Sequence, residues 1–298
     1  MKTTRVMARL DIKGPNLLKS IQFDGHRVLG KAEYFSDIYY REGIDEIIFQ
    51  DTVASLYQRN TLVDIVSKTS EKIFIPLTVA GGIRSNKDIE ALLNAGADKI
   101  AINTAAVANP ILLKEASKTF GSQCIVSSIE YFCQDNGDVE VWVDFGRERT
   151  RINIYDWTKQ VLDFGVGEIL LTSINNEGTG RGYDLEVIQK ISEMSTVPVI
   201  ACGGAGKAED FVSVVKKGKA DAVAAASVFH YHYLPKVDTQ TMSGAGNELR
   251  MGEQIDSGNI DFLKNGYGGC SNIMVEPASI SAVKKIMNQN NINTRAKK

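Results

Sequence analysis

Short runs of consecutive apolar residues, rich in Ile and Val, recur along the chain with stretches of helical period between them. Eight runs read as strands, at 5–11, 45–51, 73–80, 98–103, 123–130, 167–173, 197–203 and 221–227. Most are apolar on successive positions, the mark of strands buried on both faces of a parallel sheet. Eight further stretches read as helices, at 31–42, 62–72, 86–94, 110–119, 155–164, 184–194, 208–217 and 278–289. Pro110 suits a first helical turn, and Gly43, Gly96, Gly165 and Gly218 follow helices where a left-handed cap is wanted. Strict alternation of eight strands with eight helices predicts one (β/α)8 TIM barrel spanning 1–298. An open doubly wound sheet is the rival, but few such sheets keep eight alternations.

An internal repeat supports the barrel. Ile75-Pro76 matches Val197-Pro198, Gly81-Gly82 matches Gly203-Gly204, and Glu46 matches Glu168, each pair 122 residues apart. Asp98 and Asp221, then Asn103-Thr104 and Ala226-Ser227, follow at a spacing of 123. Two four-unit halves are the expected product of a duplicated half-barrel. The stretch 235–276 breaks the pattern with Ser-Gly-Ala-Gly-Asn and Asn-Gly-Tyr-Gly-Gly segments. It reads as an insertion in the eighth βα loop, on the C-terminal face, either as a surface excursion or as a lid or partner-binding flap.

Composition narrows the partners. The 298 residues are 43% hydrophobic and 23% charged, and 34 Lys and Arg against 36 Asp and Glu give a net charge of −2. Such a balance supplies no basic field for nucleic acid or an anionic membrane. No apolar run approaches the roughly 18 residues of a membrane span. The N-terminus does not read as a signal peptide, and Cys124, Cys133, Cys202 and Cys270 form no CxxC pair. A reduced, cytoplasmic protein without a structural metal is expected.

Phosphate binding therefore has to come from backbone N–H groups and a few placed side chains. Gly81-Gly82 and Gly203-Gly204 each end a strand, where paired glycines let N–H groups converge on an anion. Asn103-Thr104 and Ala226-Ser227 end the next strands, and Gly178-Thr179 adds donors after the sixth. The symmetry-related copies suggest Gly82, Asn103, Thr104, Gly178, Gly204, Ala226 and Ser227 as two phosphate sites, for a substrate with a phosphate at each end. Asp11 and Glu130 close the first and fifth strands, opposite each other on an eight-stranded ring, as an acid and a base would. Lys19, in the first loop, is placed to steady an oxyanion. On the opposite face, Arg5, Glu46, Lys99 and Glu168 read as an alternating-charge ring, either a stability device or a gate.

The motifs Leu10-Asp11-Ile12-Lys13, Ala80-Gly81-Gly82-Ile83, Ile102-Asn103-Thr104, Phe120-Gly121-Ser122-Gln123, Gly203-Gly204-Ala205-Gly206-Lys207 and Ala226-Ser227-Val228-Phe229-His230 appear in fixed order. Together they resemble the cyclase subunit of imidazole glycerol phosphate synthase, from about residue 3 to 234 and again at the final helix. The resemblance implies a glutaminase subunit docked on the bottom face as a heterodimer, with ammonia passing through the barrel. At the top, ammonia would attack a bis-phosphorylated phosphoribulosyl-formimino aminoimidazole carboxamide ribotide, with no cofactor. It implies Asp11 and Glu130 as acid and base, the seven phosphate positions above, and Arg5, Glu46, Lys99 and Glu168 as the ammonia gate.

Four departures stand out. Glu130 and Glu177 replace aspartates of the family, Arg9 replaces a neutral residue beside Asp11, and the 235–276 insertion is extra. They resemble a branch linked to surface-polysaccharide synthesis, in which a cyclase-like barrel channels ammonia to a third, amidotransferase protein. A true cyclase and an ammonia-channelling adaptor are thus the two leading readings. A non-catalytic phosphosugar-binding barrel is the third.

Overall fold

The computed structural model describes residues 3–53, 62–234 and 274–297. Eight parallel strands close into a barrel: β1 (Arg5–Lys13), β4 (Glu46–Asp51), β5 (Leu77–Ala80), β6 (Lys99–Ile102), β7 (Ile125–Cys133), β10 (Glu168–Ser173), β11 (Val199–Cys202) and β12 (Ala222–Ala225). They pair in that order, and β12 against β1 completes the ring, with Met7 beside both Ala224 and Glu46. The helices around them are α1 (Ala32–Arg41), α2 (Leu62–Ser70), α3 (Asn86–Asn94), α4 (Thr104–Ala108), α5 (Ile111–Phe120), α6 (Ile154–Asp163), α7 (Leu185–Met194), α8 (Ala208–Lys216), α9 (Ser227–Tyr233) and α10 (Ile280–Gln289). The TIM barrel expected from the alternation is present.

Why the strands read as unbroken apolar runs is now explicit. One face of each packs under the helices, as Val6, Ala8, Leu10, Ile47 and Phe49 do. The other fills the lumen, where Met7, Ile48, Ala80, Ala101, Val126, Leu170, Ile200, Ala222 and Ala224 form a separate apolar layer. The alternation is hidden because both faces are dry.

The bottom rim uses one device three times. An aspartate just before a strand accepts an N–H from the start of its neighbour: Asp45 from Val6, Asp98 from Leu77 and Asp221 from Val199, each at 2.8 Å. These groups would otherwise end the ladder unpaired. Asp45 also holds Lys284 of α10, whose Nζ lies 2.7 Å from its Oδ1 and 2.7 Å from the Gly43 carbonyl. That buried ion pair ties the last helix to the seam between β1 and β4.

Several expectations are corrected. Asp11 and Glu130 do not close their strands, because β1 and β7 run on into antiparallel hairpins. The first is β2 (Asn16–Ile21) with β3 (Asp24–Lys31), and the second is β8 (Val139–Val143) with β9 (Glu148–Asn153). Lys19 consequently sits on strand β2 and not in a loop. Helices α4 and α9 were also unexpected; each is short and begins at a repeat-related position. Pro110 is the cap residue before α5, one place earlier than its first turn. Gly218 lacks the left-handed backbone; Lys219 takes it instead, at φ 57°. The expected insertion at 235–276 falls outside the described residues as far as 273. At its end, Met274 and Glu276 donate backbone hydrogen bonds to Thr179 and Gly206, at 3.4 and 2.7 Å.

Candidate active site

At the bottom of the barrel the four expected residues meet in a closed ring. Arg5 Nη1 lies 2.7 Å from Glu46 Oε1 and 2.9 Å from Glu168 Oε1. Lys99 Nζ lies 3.1 Å from Glu46 Oε2 and 3.0 Å from Glu168 Oε2. Each cation therefore bridges both carboxylates, and each carboxylate divides its oxygens between the two cations. Burial works against the charge on Arg5, but Glu46 and Glu168 outweigh it and hold its pKa above the usual value. Directly above this ring lies the apolar lumen, and above that the mouth.

At the mouth, Asp11 and Glu130 are both buried, on strands four places apart around the ring. Between them reaches Arg9, which the sequence places two residues before Asp11 and the pleat therefore directs into the lumen. Its Nε donates to Asp11 Oδ1 at 2.8 Å, and its Nη1 reaches Thr172 on β10 at 3.3 Å and Cys202 on β11 at 3.7 Å. Burial opposes the charge, yet Asp11, with lesser help from Cys202, Glu177 and Glu130, holds the guanidinium well above its ordinary pKa. Glu130 accepts instead from the Gly146 N–H at 3.1 Å and from the Asn103 side chain. Burial pushes its pKa up to about 7, against the pull of Arg9 and that N–H. Glu177, also buried, is raised to about 7 by burial despite Arg9. A carboxyl poised near neutrality is suited to proton transfer.

The two hairpins cover this centre. Phe23, at the tip of β2–β3, and Phe145, at the tip of β8–β9, lie over the Arg9 guanidinium with centroids 5.2 and 5.9 Å from its carbon. Lys19 is buried, its ammonium 5.5 Å from the ring of Tyr231 on α9.

The repeat-related glycine pairs form unequal hollows. The first is a cavity of about 320 Å3 lined by Gly81, Gly82, Asn103, Thr104, Gln50, Asp51, Glu130 and Phe145. The second, lined by Gly178, Gly203, Gly204, Ala226, Ser227 and Glu177, encloses only about 10 Å3. Their backbones match: Asn103 has φ −118°, ψ −85° before α4, and Ala226 has φ −116°, ψ −79° before α9. The first-turn N–H groups of such helices have no partner within the helix and are available to an anion. Asn103 and Thr104 are additionally tied to the second hairpin, Asn103 Nδ2 donating to Trp142 O at 3.1 Å and Thr104 Oγ1 accepting from Asp144 N at 2.9 Å. Gly204 is demanded by packing as well, since a Cβ there would lie 2.1 Å from the Gly182 carbonyl oxygen.

Sequence reasoning missed the two hairpins and the span of Arg9. The second hairpin had a signal, Asn136-Gly137 followed by alternating Val139-Glu140-Val141-Trp142-Val143. Arg9 had none beyond its period-2 phase with Asp11.

These features define a (β/α)8 barrel with two glycine-lined hollows and two opposed buried carboxyls at its mouth. A family model described as "Histidine biosynthesis protein" matches residues 5–235. The chain is 54% identical over 211 residues to the imidazole glycerol phosphate synthase subunit HisF of Legionella pneumophila, covering 71% of this chain and all of that protein. It is 42% identical over 252 residues to the same subunit from Natranaerobius thermophilus, covering 84% of this chain and all of that protein. It is 43% identical over 232 residues to that of Alkaliphilus metalliredigens, covering 78% of this chain and 92% of that protein. The chain belongs to the histidine biosynthesis protein family, and within it to the HisF group. Among the described residues no helix is long and apolar enough to cross a membrane.

Proposed function

We propose that the chain is a cytoplasmic cyclase subunit of the imidazole glycerol phosphate synthase type. It takes ammonia from a glutaminase subunit docked on the bottom face. With it, the phosphoribulosyl-formimino aminoimidazole carboxamide ribotide is converted to imidazole glycerol phosphate and the aminoimidazole carboxamide ribotide. The observation that carries this reading is the coaxial order of parts: a closed charged ring, a dry lumen, then the Asp11 and Glu130 carboxyls. An apolar conduit suits ammonia, which must stay unprotonated until it reaches an electrophile. In this reading Gly82, Asn103 and Thr104 hold one substrate phosphate, and Gly178, Gly204, Ala226 and Ser227 the other, with Lys19 steadying charge between them.

The test is incubation of the purified protein with the bis-phosphate ribotide and ammonium at alkaline pH. Imidazole glycerol phosphate forming above the protein-free background supports the reading, and its absence overturns it. A second reading, an ammonia-channelling partner in amidation of a surface-polysaccharide sugar, draws on one observation. The hollow at Gly204 and Ser227 is far smaller than its mate and has Glu177 in its wall. In that case a third, amidotransferase protein would receive the ammonia, and Glu130→Asp would raise cyclase turnover.

A further inference from the structure

The two opposed carboxyls are not equivalent, and the difference comes from one residue. Arg9 is fully buried and bonds Asp11 directly, whereas Glu130 takes its hydrogen bonds from neutral donors, the Gly146 N–H and the Asn103 side chain, and has no cation within bonding distance among the described residues. We propose that Arg9 is a positioning residue that gives Asp11 and Glu130 opposite proton roles, holding Asp11 as the base and leaving Glu130 as the acid. This inference rests on the acid–base reading of the mouth.

The geometry supports it from both sides. A guanidinium at 2.8 Å in a dry lumen favours the charged form of Asp11 through a charge-assisted hydrogen bond. The guanidinium is itself fixed, by Thr172 and Cys202 across the barrel and by Phe23 and Phe145 above it. It does not swing over to Glu130 without breaking those contacts. Burial without a bonded cation favours the protonated form of Glu130 below about pH 7, in keeping with its pKa of about 7. Other groups facing this centre are Glu177 in the loop after β10, Cys202 on β11 and His26 on β3. Glu177, like Glu130, is raised to about 7, and Cys202 is pushed up to about 11, so below about pH 7 neither adds a full negative charge beside Glu130. Burial lowers the pKa of His26, which makes it a weak rival cation for Asp11.

In the reaction, ammonia bonding to carbon becomes an ammonium centre. Its N–H bond breaks as Asp11 gains the proton. Glu130 gives up its O–H proton to the departing oxygen or nitrogen as that bond to carbon breaks. One proton enters the pair and one leaves it, and exchange with solvent restores both groups.

The test is a carboxyl 13C NMR titration of the whole protein labelled at Asp and Glu, with Asp11→Asn and Glu130→Gln assigning the two signals. At pH 6 the Asp11 signal is expected at its carboxylate position and the Glu130 signal at its carboxylic acid position. In Arg9→Met, the Asp11 and Glu130 signals are expected to become more alike, and Arg9→Lys is expected to restore the difference in part. An ionised Glu130 at pH 6, or an Asp11 signal unchanged in folded Arg9→Met, overturns the proposal. Should Arg9→Met fail to fold, the wild-type signals at pH 6 still decide. Turnover gives a separate reading. Where wild type forms product, Arg9→Met is expected to move the acid limb of the pH–rate profile upward by about one unit or more and to lower kcat about 10- to 100-fold, leaving KM nearly unchanged. A wild type without product at any pH counts against the proposed cyclase activity and leaves the NMR result standing.

Discussion

The rings of Phe23 and Phe145 meet over the barrel mouth with centroids 4.2 Å apart and planes tilted by 36°. They stand 122 residues apart, the spacing of the repeat, one on each hairpin. Both occupy the left-handed region, at φ 64° and 56°, preceded by Gln22 and Asp144 at 51° and 53°. Paired left-handed residues are what a tight hairpin turn requires, but a bulky side chain is uncommon there. The strain is offset by packing against Ile174 and by the cation beneath. Gly146 makes the contact possible, because a Cβ there would lie 2.6 Å from Phe23 Cδ2.

A double-mutant cycle with Phe23→Ala and Phe145→Ala is therefore expected to show a coupling of about 1 kcal/mol in urea unfolding. Strict additivity would mean that the two hairpins stand independently.

For the bottom ring, Lys99→Ala is the informative change. Lys99 is the second cation on both Glu46 and Glu168. If the ring is a gate, glutamine-dependent turnover with a glutaminase partner should fall at least about 5-fold relative to turnover with added ammonium. Breaking a buried charge network also costs roughly 3 kcal/mol, so the thermal midpoint is measured alongside. Equal loss with both nitrogen sources would make the ring purely structural.

Glu177 predicts a pH dependence of stability. Its pKa rises from 4.5 to about 7 on folding, so the native state holds a proton that the unfolded chain has released. Its contribution is present below pH 4.5 and is lost as pH rises to about 7, by up to on the order of 3 kcal/mol. His230 acts in the opposite sense over much of that interval, because burial lowers its pKa to about 3. The difference between wild type and Glu177→Gln isolates the carboxyl. Relative to the variant, wild type should lose stability between pH 5 and 8, and a flat difference would refute the assignment.

Thr104→Asp tests the larger hollow. The new side chain keeps an acceptor for the Asp144 N–H, now 2.9 Å from Thr104 Oγ1, and adds a negative charge where phosphate would sit. KM for the bis-phosphate ribotide should rise about 10- to 100-fold with a smaller change in kcat. Ser227→Asp should do the same if the narrow hollow also takes phosphate. An unchanged KM there would confine recognition to the first.

Lys284→Met should destabilise the fold by about 3–5 kcal/mol, because it strands the buried Asp45 carboxylate. Asp45→Asn combined with Lys284→Met should recover part of that loss, measured by denaturant unfolding. A double variant no better than the single would point to lost packing instead.

How far the chain could be read in one dimension follows from the range of each interaction. Strand and helix order, the duplicated halves and the glycine pairs rest on local pattern and period, so runs such as Val199–Cys202 and Ala222–Ala225 were legible directly. The ring of Arg5, Glu46, Lys99 and Glu168 was legible too, since each residue begins or nearly begins its strand and barrel closure then brings strand starts together. The hairpins were not, because continuous apolar sequence on β1 and β7 does not reveal where pairing turns antiparallel. Neither was the inequality of the two hollows, which depends on how Glu177 and the 178–182 loop pack against Gly203 and Gly204. Most of all, the unequal surroundings of Asp11 and Glu130 were out of reach. A carboxyl's charge is set by water exclusion and by which cation lies within about 3 Å, and only the folded barrel fixes Arg9 across the lumen on Asp11, Thr172 and Cys202 and leaves Glu130 to the Gly146 N–H and the Asn103 side chain.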